Sequence, residues 1–260
     1  TLTHSVLVPL FDDSWRGVMF LWAGFTALIS LVWFALASFN PPSNTPLIDV
    51  QAQDEPVQVP QKQTQIIANL LRQPSVVLVL GMGIGVFMFN HGLNNWLPEL
   101  LKNGGLSLVE SGYWAAIPTV IGIAGSLLIP RLATPGRRYH ILIVLSLCAA
   151  IASVLLQFQA DVPLITGLIL QGIARSSLMT VLILTLLELP AVGEKYAGVA
   201  SGLFFSVAEV GGVLGPLTLG FMYDISGGFN SGLYLLTSIS LLIAISGLAL
   251  RKSSAKTTNS

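Results

Sequence analysis

The sequence predicts an all-α integral membrane protein with seven transmembrane helices, the last six forming one domain. Its composition is the first reason: of 260 residues, 53% are hydrophobic and 9% are charged, whereas soluble domains carry about 25% charged residues. A soluble fold of this size could not cover its surface with so few charges. The second reason is a series of seven apolar segments, each long enough to cross a hydrocarbon core of about 30 Å.

The apolar segments follow one another with short connections, except after the first. The first follows the polar turn at 11–16 and begins at Gly17. Trp15 lies at its edge, where an interfacial aromatic belt is expected. The predicted spans are 17–38, 75–97, 111–130, 139–158, 163–187, 197–222 and 231–250.

A polar break separates the first span from the other six. It is rich in Pro, Gln and Asn, with prolines at 41, 42, 46, 56 and 60, a composition that cannot bury enough apolar surface to order itself. Near its end, residues 64–73 place four aliphatic side chains on one helical face, as in a helix lying on a membrane surface. The predicted domains are 1–39 with one transmembrane helix, 40–74 as a cytoplasmic linker with a short amphipathic helix, 75–250 as a six-helix domain and 251–260 as a cytoplasmic tail.

The distribution of Lys and Arg predicts the orientation. If the linker is cytoplasmic, most cations lie on that side, and the opposite side keeps Arg16 and Lys102 together with six of the twelve acidic residues. Because basic residues accumulate in cytoplasmic loops, this places the C-terminus in the cytoplasm. The cations predicted to be cytoplasmic are Lys62, Arg72, Arg131, Arg137, Arg138, Lys195, Arg251, Lys252 and Lys256.

Two ionisable residues lie deep within predicted spans, Arg175 in 163–187 and Glu209 in 197–222. A charge at the centre of a bilayer costs about 2.5–3.5 kcal/mol on insertion scales, so such residues usually face a polar cavity or each other. Arg175 is therefore a candidate to bind an anionic or strongly polar substrate; an ion pair with Glu209 and hydrogen bonds to carbonyl groups remain open. Glu209 is a candidate for substrate binding and for proton titration, since burial and a neighbouring Arg shift its pKa in opposite directions.

A cluster of polar side chains interrupts the span at 75–97. Helical spacing puts Asn90 and Asn94 on one face and His91 and Asn95 on an adjoining one. Four such groups would be costly against lipid, so we expect this face to line a cavity and Asn90, His91 and Asn94 to contact substrate. Hydrogen bonds that only join helices are the alternative.

The sequence offers little for an enzyme. It has no Gly-rich phosphate loop, metal-ligand cluster or nucleophile elbow. Its one cysteine, Cys148, lies in an apolar run, and His4, His91 and His140 lie on different segments. Zero net charge indicates no nucleic-acid partner. We therefore expect no catalytic residues, no cofactor and no metal.

Six helices after a long linker suggest two three-helix units of inverted topology, as in half of a transporter. The middle helix of each unit would carry closely spaced glycines that end near a proline, which supports an internal repeat. These are Gly122, Gly125 and Pro130 in the first unit, and Gly212, Gly215 and Pro216 in the second.

Several short motifs resemble the major facilitator superfamily of transporters. Residues 95–98 (NWLP), 105–107 (GLS), 110–112 (ESG) and 125–131 (GSLLIPR) are similar to its seventh and eighth helices. Residues 189–190, 198–202, 211–216, 220–224 and 227–229 are similar to its tenth-to-eleventh helix region. The resemblance is greatest to permeases of the cyanate and nitroimidazole-resistance type. It implies that this chain corresponds to helices six to twelve, and that an N-terminal half of about five helices is missing from it.

One loop departs from the pattern of that family. The family commonly has an acidic residue before Arg-Gly-Arg/Lys between helices eight and nine, but Thr134 stands there, followed by Gly136, Arg137 and Arg138. The basic residues could still anchor to phospholipid head groups or to helix ends, or act as ordinary positive-inside charges.

The resemblance implies a multi-pass permease of the plasma membrane that moves a small anionic or polar solute by alternating access, with proton coupling as an option. Its expected partners are membrane lipid, the small-molecule substrate and the missing N-terminal half of the same transporter. The alternative is a seven-helix membrane protein that does not transport, either a receptor or a truncated pseudo-transporter.

Overall fold

The structure is a computed structural model that describes residues 10–11, 14–39, 63–158 and 160–258. The chain divides into two compact units, residues 1–60 and 61–260. The linker prolines, His4, Lys62 and the acidic residues at 12 and 13 lie outside the described residues.

The first unit contributes one long helix, α1 (Trp15–Phe39). It begins where the hydroxyl of Ser14 accepts a hydrogen bond from the Gly17 amide at 3.5 Å, which caps the free N–H groups of the first turn. The part Trp15–Leu36 is long and apolar enough to span a membrane.

The second unit contains a short helix followed by six long ones. The six long helices can each span a membrane, so with α1 the described residues supply seven candidate spans. The described part of the chain contains no strand, and the predicted all-α class with seven membrane-spanning helices is confirmed. The helices are α2 (Gln63–Leu71), α3 (Pro74–Asn103), α4 (Leu108–Leu132), α5 (Arg138–Leu155), α6 (Asp161–Leu187), α7 (Gly193–Ser226) and α8 (Asn230–Thr258).

Local chemistry explains where several of these helices begin and end. Pro74 starts α3, at a position where the missing N–H is not needed. Ser107 and Glu110 form a capping box at the start of α4, with the Ser107 amide donating to the Glu110 carboxylate at 2.9 Å. Gly227 ends α7 in a left-handed conformation with φ of 71°.

The six long helices of the second unit form two triplets, α3–α5 and α6–α8, which contact each other in a reciprocal pattern. The first helix of each triplet packs on the middle helix of the other, α3 on α7 and α6 on α4, and the third helices α5 and α8 pack on each other. Since a triplet has an odd number of spans, the second runs in the opposite direction through the membrane. This is the inverted repeat that the glycine pattern predicts.

The glycines of the two middle helices serve equivalent contacts. On α4, a Cβ at Gly125 would stand 2.8 Å from the hydroxyl oxygen of Ser176 on α6. On α7, a Cβ at Gly211 would overlap the carbonyl oxygen of Ile84 on α3. At Gly211 the missing side chain lets the backbones of α3 and α7 approach closely, and at Gly125 it leaves room for the Ser176 hydroxyl group. Such close packing holds helices together in lipid, which provides no hydrophobic drive for pairing.

Several helices extend beyond the predicted spans. Helix α3 continues to Asn103 and α7 begins at Gly193, so α7 has 34 residues. At 1.5 Å per residue such a helix is about 51 Å long and exceeds a core of about 30 Å. Hydropathy marks only the lipid-buried part of a helix, which is why the predicted boundaries are short. Helix α2 packs on α7 and α3 and buries Leu70; its position on the membrane surface stays a prediction.

Candidate functional site

A polar cavity of about 500 Å³ lies between α3, α4 and α6. These helices meet here because Gly122 and Gly172 allow α4 and α6 to approach: a Cβ at Gly172 would stand 2.6 Å from the carbonyl oxygen of Pro118. Amide, hydroxyl, imidazole and guanidinium groups share the lining with a few apolar side chains. The lining residues are Asn90, His91, Asn94, Pro118, Thr119, Gly122, Ile123, Ser126, Gly172, Arg175, Ser176 and Met179.

Arg175 reaches this cavity from the middle of α6 and is partly buried. Among the described residues no carboxylate lies within ion-pair distance of its guanidinium group, because the two ion pairs found there join other residues. The pair with Glu209, one alternative raised by the sequence, is therefore absent. The cavity thus holds a cation without a counter-charge from the described residues.

Asn90 joins α3 to α6 at the level of Arg175. Its Nδ2 donates a hydrogen bond to the main-chain carbonyl oxygen of Arg175 at 3.2 Å. Its Oδ1 is buried and has no hydrogen-bond partner among the described residues. The helix-joining role raised as the alternative is thus present at Asn90, which also lines the cavity.

The neighbouring polar residues of α3 divide into two groups. Asn94 and His91 line the cavity, and the His91 ring stacks on Phe87 with centroids 5.5 Å apart. Asn95 does not line it; its Nδ2 donates to the His91 carbonyl oxygen of its own helix at 2.9 Å.

Glu209 lies on α7 and is exposed, outside the lining of the cavity. A Cβ added at Gly212 would stand 2.8 Å from Glu209 Oε2 and 3.6 Å from His91 Nδ1. The Glu209 carboxylate and the His91 ring thus approach the same point on α7, and Glu209 forms no ion pair with Arg175.

The cavity includes residues that the sequence did not single out. Thr119 and Ser126 on α4 and Ser176 on α6 bring hydroxyl groups to it, and Pro118 and Met179 bring apolar surface. Serines and threonines occur throughout the spans, so only tertiary packing shows which of them share a cavity. Pro118, one of two prolines inside α4, was an available signal, because a proline breaks a helical hydrogen bond.

Gln171 lies one turn before Arg175 and is fully buried. Neither of its amide atoms has a hydrogen-bond partner among the described residues. The side chain therefore packs inside the bundle with both polar atoms unsatisfied by the described residues.

A second charged cluster lies at the end of the bundle where α5 begins. Arg138 is 6% exposed and forms an ion pair with Glu188. Its Nε and Nη2 donate to the Ala133 carbonyl oxygen at 3.1 Å, and its Nη1 donates to the Leu184 carbonyl oxygen at 3.0 Å. Of the roles left open for this basic loop, the structure shows anchoring to helix ends for Arg138.

The described residues include no group of three or more His, Cys, Asp or Glu side chains that could hold a metal ion. The polar cavity combines a cation that has no ion pair among the described residues with neutral hydrogen-bonding groups. Such a cavity can bind a small anion or a strongly polar molecule.

The chain is similar to several proteins that are named as transporters. It is 26% identical over 199 residues to a putative tartrate transporter of Agrobacterium vitis, covering 69% of this chain and 41% of that protein. It is 29% identical over 186 residues to a quinolone resistance transporter of Acinetobacter baumannii, covering 66% of this chain and 40% of that protein. An uncharacterized transporter of Bacillus subtilis, YycB, matches 95% of this chain at 23% identity and is 58% covered.

The chain spans about half the length of these relatives. The family model of the Major Facilitator Superfamily matches residues 3–216, most of the chain. With seven apolar helices and this match, the chain is an integral, multi-pass membrane protein that belongs to the Major Facilitator Superfamily.

Proposed function

We propose that this chain is part of a permease that moves a small anionic solute across the plasma membrane by alternating access. The observation that carries the proposal is the guanidinium group of Arg175, which lies in a cavity of a membrane-spanning bundle without a carboxylate partner among the described residues. A cation in this position is costly. A bound anion would compensate its charge, and the planar guanidinium group suits a carboxylate through two parallel hydrogen bonds.

The rest of the lining favours a solute with hydroxyl groups. Asn94, Thr119 and Ser126 offer donors and acceptors around Arg175, and Met179 adds an apolar wall. A volume of about 500 Å³ fits a small molecule. Two relatives are named as a putative tartrate transporter and a probable galactarate/D-glucarate transporter of Escherichia coli, which supports a hydroxylated carboxylate as substrate. The resemblance to cyanate-type permeases also indicates a small anion.

Alternating access needs a second wall for this cavity. We propose that the full-length protein supplies an N-terminal half, and that this chain corresponds to helices six to twelve of the family. The half-length match to the relatives and the two inverted triplets support this. The excess of Lys and Arg at one end of the bundle supports a cytoplasmic C-terminus.

Proton coupling is proposed for His91 and Glu209. His91 lines the cavity that contains Arg175, and the Glu209 carboxylate and the His91 ring both lie within 4 Å of the position that a Cβ at Gly212 would take. An imidazole and a carboxylate at the edge of a substrate cavity can pass a proton between water and the site. Both groups then act on the solute that Arg175 holds.

The test is uptake of radiolabelled tartrate and glucarate by the full-length protein in proteoliposomes. Arg175→Ala should abolish uptake with normal expression, whereas Arg131→Gln, which removes an exposed cation outside the cavity, should transport normally. Unchanged uptake by Arg175→Ala would show that Arg175 does not bind the solute. A full-length protein that moves no anion in any imposed gradient would favour the non-transporting alternative.

A further inference from the structure

A second, larger groove lies between α3 and α8 and shares no residue with the polar cavity. It measures about 710 Å³, and twelve of its fourteen lining residues are apolar, the exceptions being Arg72 and Ser246. Arg72 lies in the turn between α2 and α3, so it marks one mouth of the groove. The groove therefore combines an apolar bed with a cation at its end.

Two glycines of α3 shape this groove. At Gly85 the helices touch, since a Cβ there would stand 3.0 Å from Ile239 Cγ2 and 3.1 Å from Ile243 Cδ1. At Gly81, one turn nearer to Arg72, a Cβ would meet nothing within 4 Å. Space therefore opens from Gly81 towards Arg72 because no side chain fills it.

The groove has the length of one leaflet. Its α3 side runs from Pro74 to Met88, which at 1.5 Å per residue is about 21 Å. Half of a bilayer, with its head-group region included, is about 20–22 Å. The apolar walls of the groove offer water few hydrogen bonds. An extended acyl chain is apolar, as these walls are, and is about as long as the groove.

The elements that border the Arg72 end of the groove carry charges of one sign, whereas the acids at this end of the bundle, Glu188 and Glu194, lie at the end of α6 and in the first turn of α7. Helices α3 and α8 are antiparallel, so Arg251 and Lys252 at the end of α8 lie at the same end of the bundle as Arg72, and all three are exposed. Among the described residues, α2, the first turns of α3 and the last turns of α8 contain no Asp or Glu. Each such cation near a membrane surface raises the binding constant for an anionic lipid about fivefold.

We propose that this groove binds one anionic diacyl phospholipid from the leaflet on the Arg72 side. An acyl chain lies along Gly81 and the head-group phosphate contacts Arg72. The groove is thus a lipid site separate from the solute cavity, and it does not depend on which solute is moved.

The test is native mass spectrometry of the full-length protein, equilibrated with an equimolar mixture of phosphatidylglycerol and phosphatidylethanolamine. The wild-type protein should retain one lipid molecule, and should retain phosphatidylglycerol in preference to phosphatidylethanolamine. Arg72→Gln should lower the ratio of bound phosphatidylglycerol to phosphatidylethanolamine about fivefold, because it removes one cation. Arg131→Gln removes an exposed cation on α4, away from the groove, and should leave that ratio unchanged.

A second variant tests the acyl-chain bed. Gly81→Leu fills the open space and should remove the retained lipid, whereas Val144→Phe, on an exposed position of α5, should retain it. If Gly81→Leu does not fold, Arg72→Gln still tests the proposal, because Arg72 is exposed and its replacement should not disturb folding. Equal ratios in Arg72→Gln and Arg131→Gln would overturn the proposal.

Cross-linking distinguishes other occupants. A phosphatidylglycerol with a photoactivatable acyl chain should label peptides containing Gly81 or Leu242, both of which line the groove. Labelling confined to other peptides would show that another part of the protein or a second copy covers the groove, and would overturn the lipid assignment.

Discussion

The side chain of Asn90 on α3 donates a hydrogen bond to the main-chain carbonyl oxygen of Arg175 on α6, at 3.2 Å. These residues are the first-helix contributions of two inverted triplets, so the bond joins the two repeats at the cavity. The residue that can bind an anion is thereby held by its own backbone, and its guanidinium group is left unpaired by the described residues.

Replacing Asn90 should therefore loosen the position of Arg175. Asn90→Ala is expected to lower the free energy of unfolding by about 0.6–1.7 kcal/mol, the range for interhelical hydrogen bonds in membranes, and to raise the KM for solute. Asn95→Ala is the matched control, because the Asn95 amide bonds only to its own helix. Thermal unfolding and uptake kinetics of the full-length protein measure both effects. Equal behaviour of the two variants would contradict the positioning role.

Gly211 should tolerate no side chain. Gly211→Ala drives a methyl group into the Ile84 carbonyl oxygen and should cost about 1–3 kcal/mol, as overpacking does. Gly202→Ala on the same helix meets nothing within 4 Å and should be neutral or stabilise by up to about 1 kcal/mol through helix propensity. Thermal unfolding midpoints compare the pair. A stable Gly211→Ala protein would show that α3 and α7 do not pack this closely.

Arg138 should contribute more to the stability of the protein than its neighbour Arg137. Arg138→Ala removes three hydrogen bonds to two carbonyl oxygens and an ion pair, and one charged hydrogen bond alone is worth about 1.5–3 kcal/mol. Arg137 is exposed, so Arg137→Ala should change stability by less than about 0.5 kcal/mol. Denaturation experiments on the two variants compare their free energies of unfolding. If both behave alike, the basic loop acts by charge alone.

Hydropathy and charge predicted more of the fold than of the cavity. The seven spans follow from apolar length, and the depth of Arg175 and Asn90 follows from their places in those spans. The depth of a residue in the membrane does not tell, however, in which direction its side chain points around the helix axis. The sequence therefore left a pair of Glu209 with Arg175 open as one alternative, whereas in the structure Glu209 is exposed on α7 and forms no ion pair with Arg175. The hydroxyl groups of Thr119 and Ser126 were missed because neighbouring helices, not sequence spacing, bring them to the cavity.

Proton coupling predicts a specific loss in Glu209→Gln. This variant should lose the acceleration of uptake by an imposed pH gradient and keep exchange of labelled for unlabelled solute, because exchange needs no net proton movement. His91→Gln should behave in the same way, while Arg175→Ala should lose both activities. Uptake and exchange assays in the same proteoliposomes separate the outcomes. A Glu209→Gln protein that still responds fully to the pH gradient would exclude Glu209 from coupling.

The central claim is that the Arg175 guanidinium group binds the negative charge of the solute. Equilibrium binding to the purified full-length protein tests it most directly, using tartrate and its neutral diamide in parallel. Loss of one charged hydrogen bond of about 1.5–3 kcal/mol should weaken tartrate binding by roughly 10- to 100-fold in Arg175→Ala, with little change for the diamide. An equal effect on both compounds, or none on either, would contradict the claim.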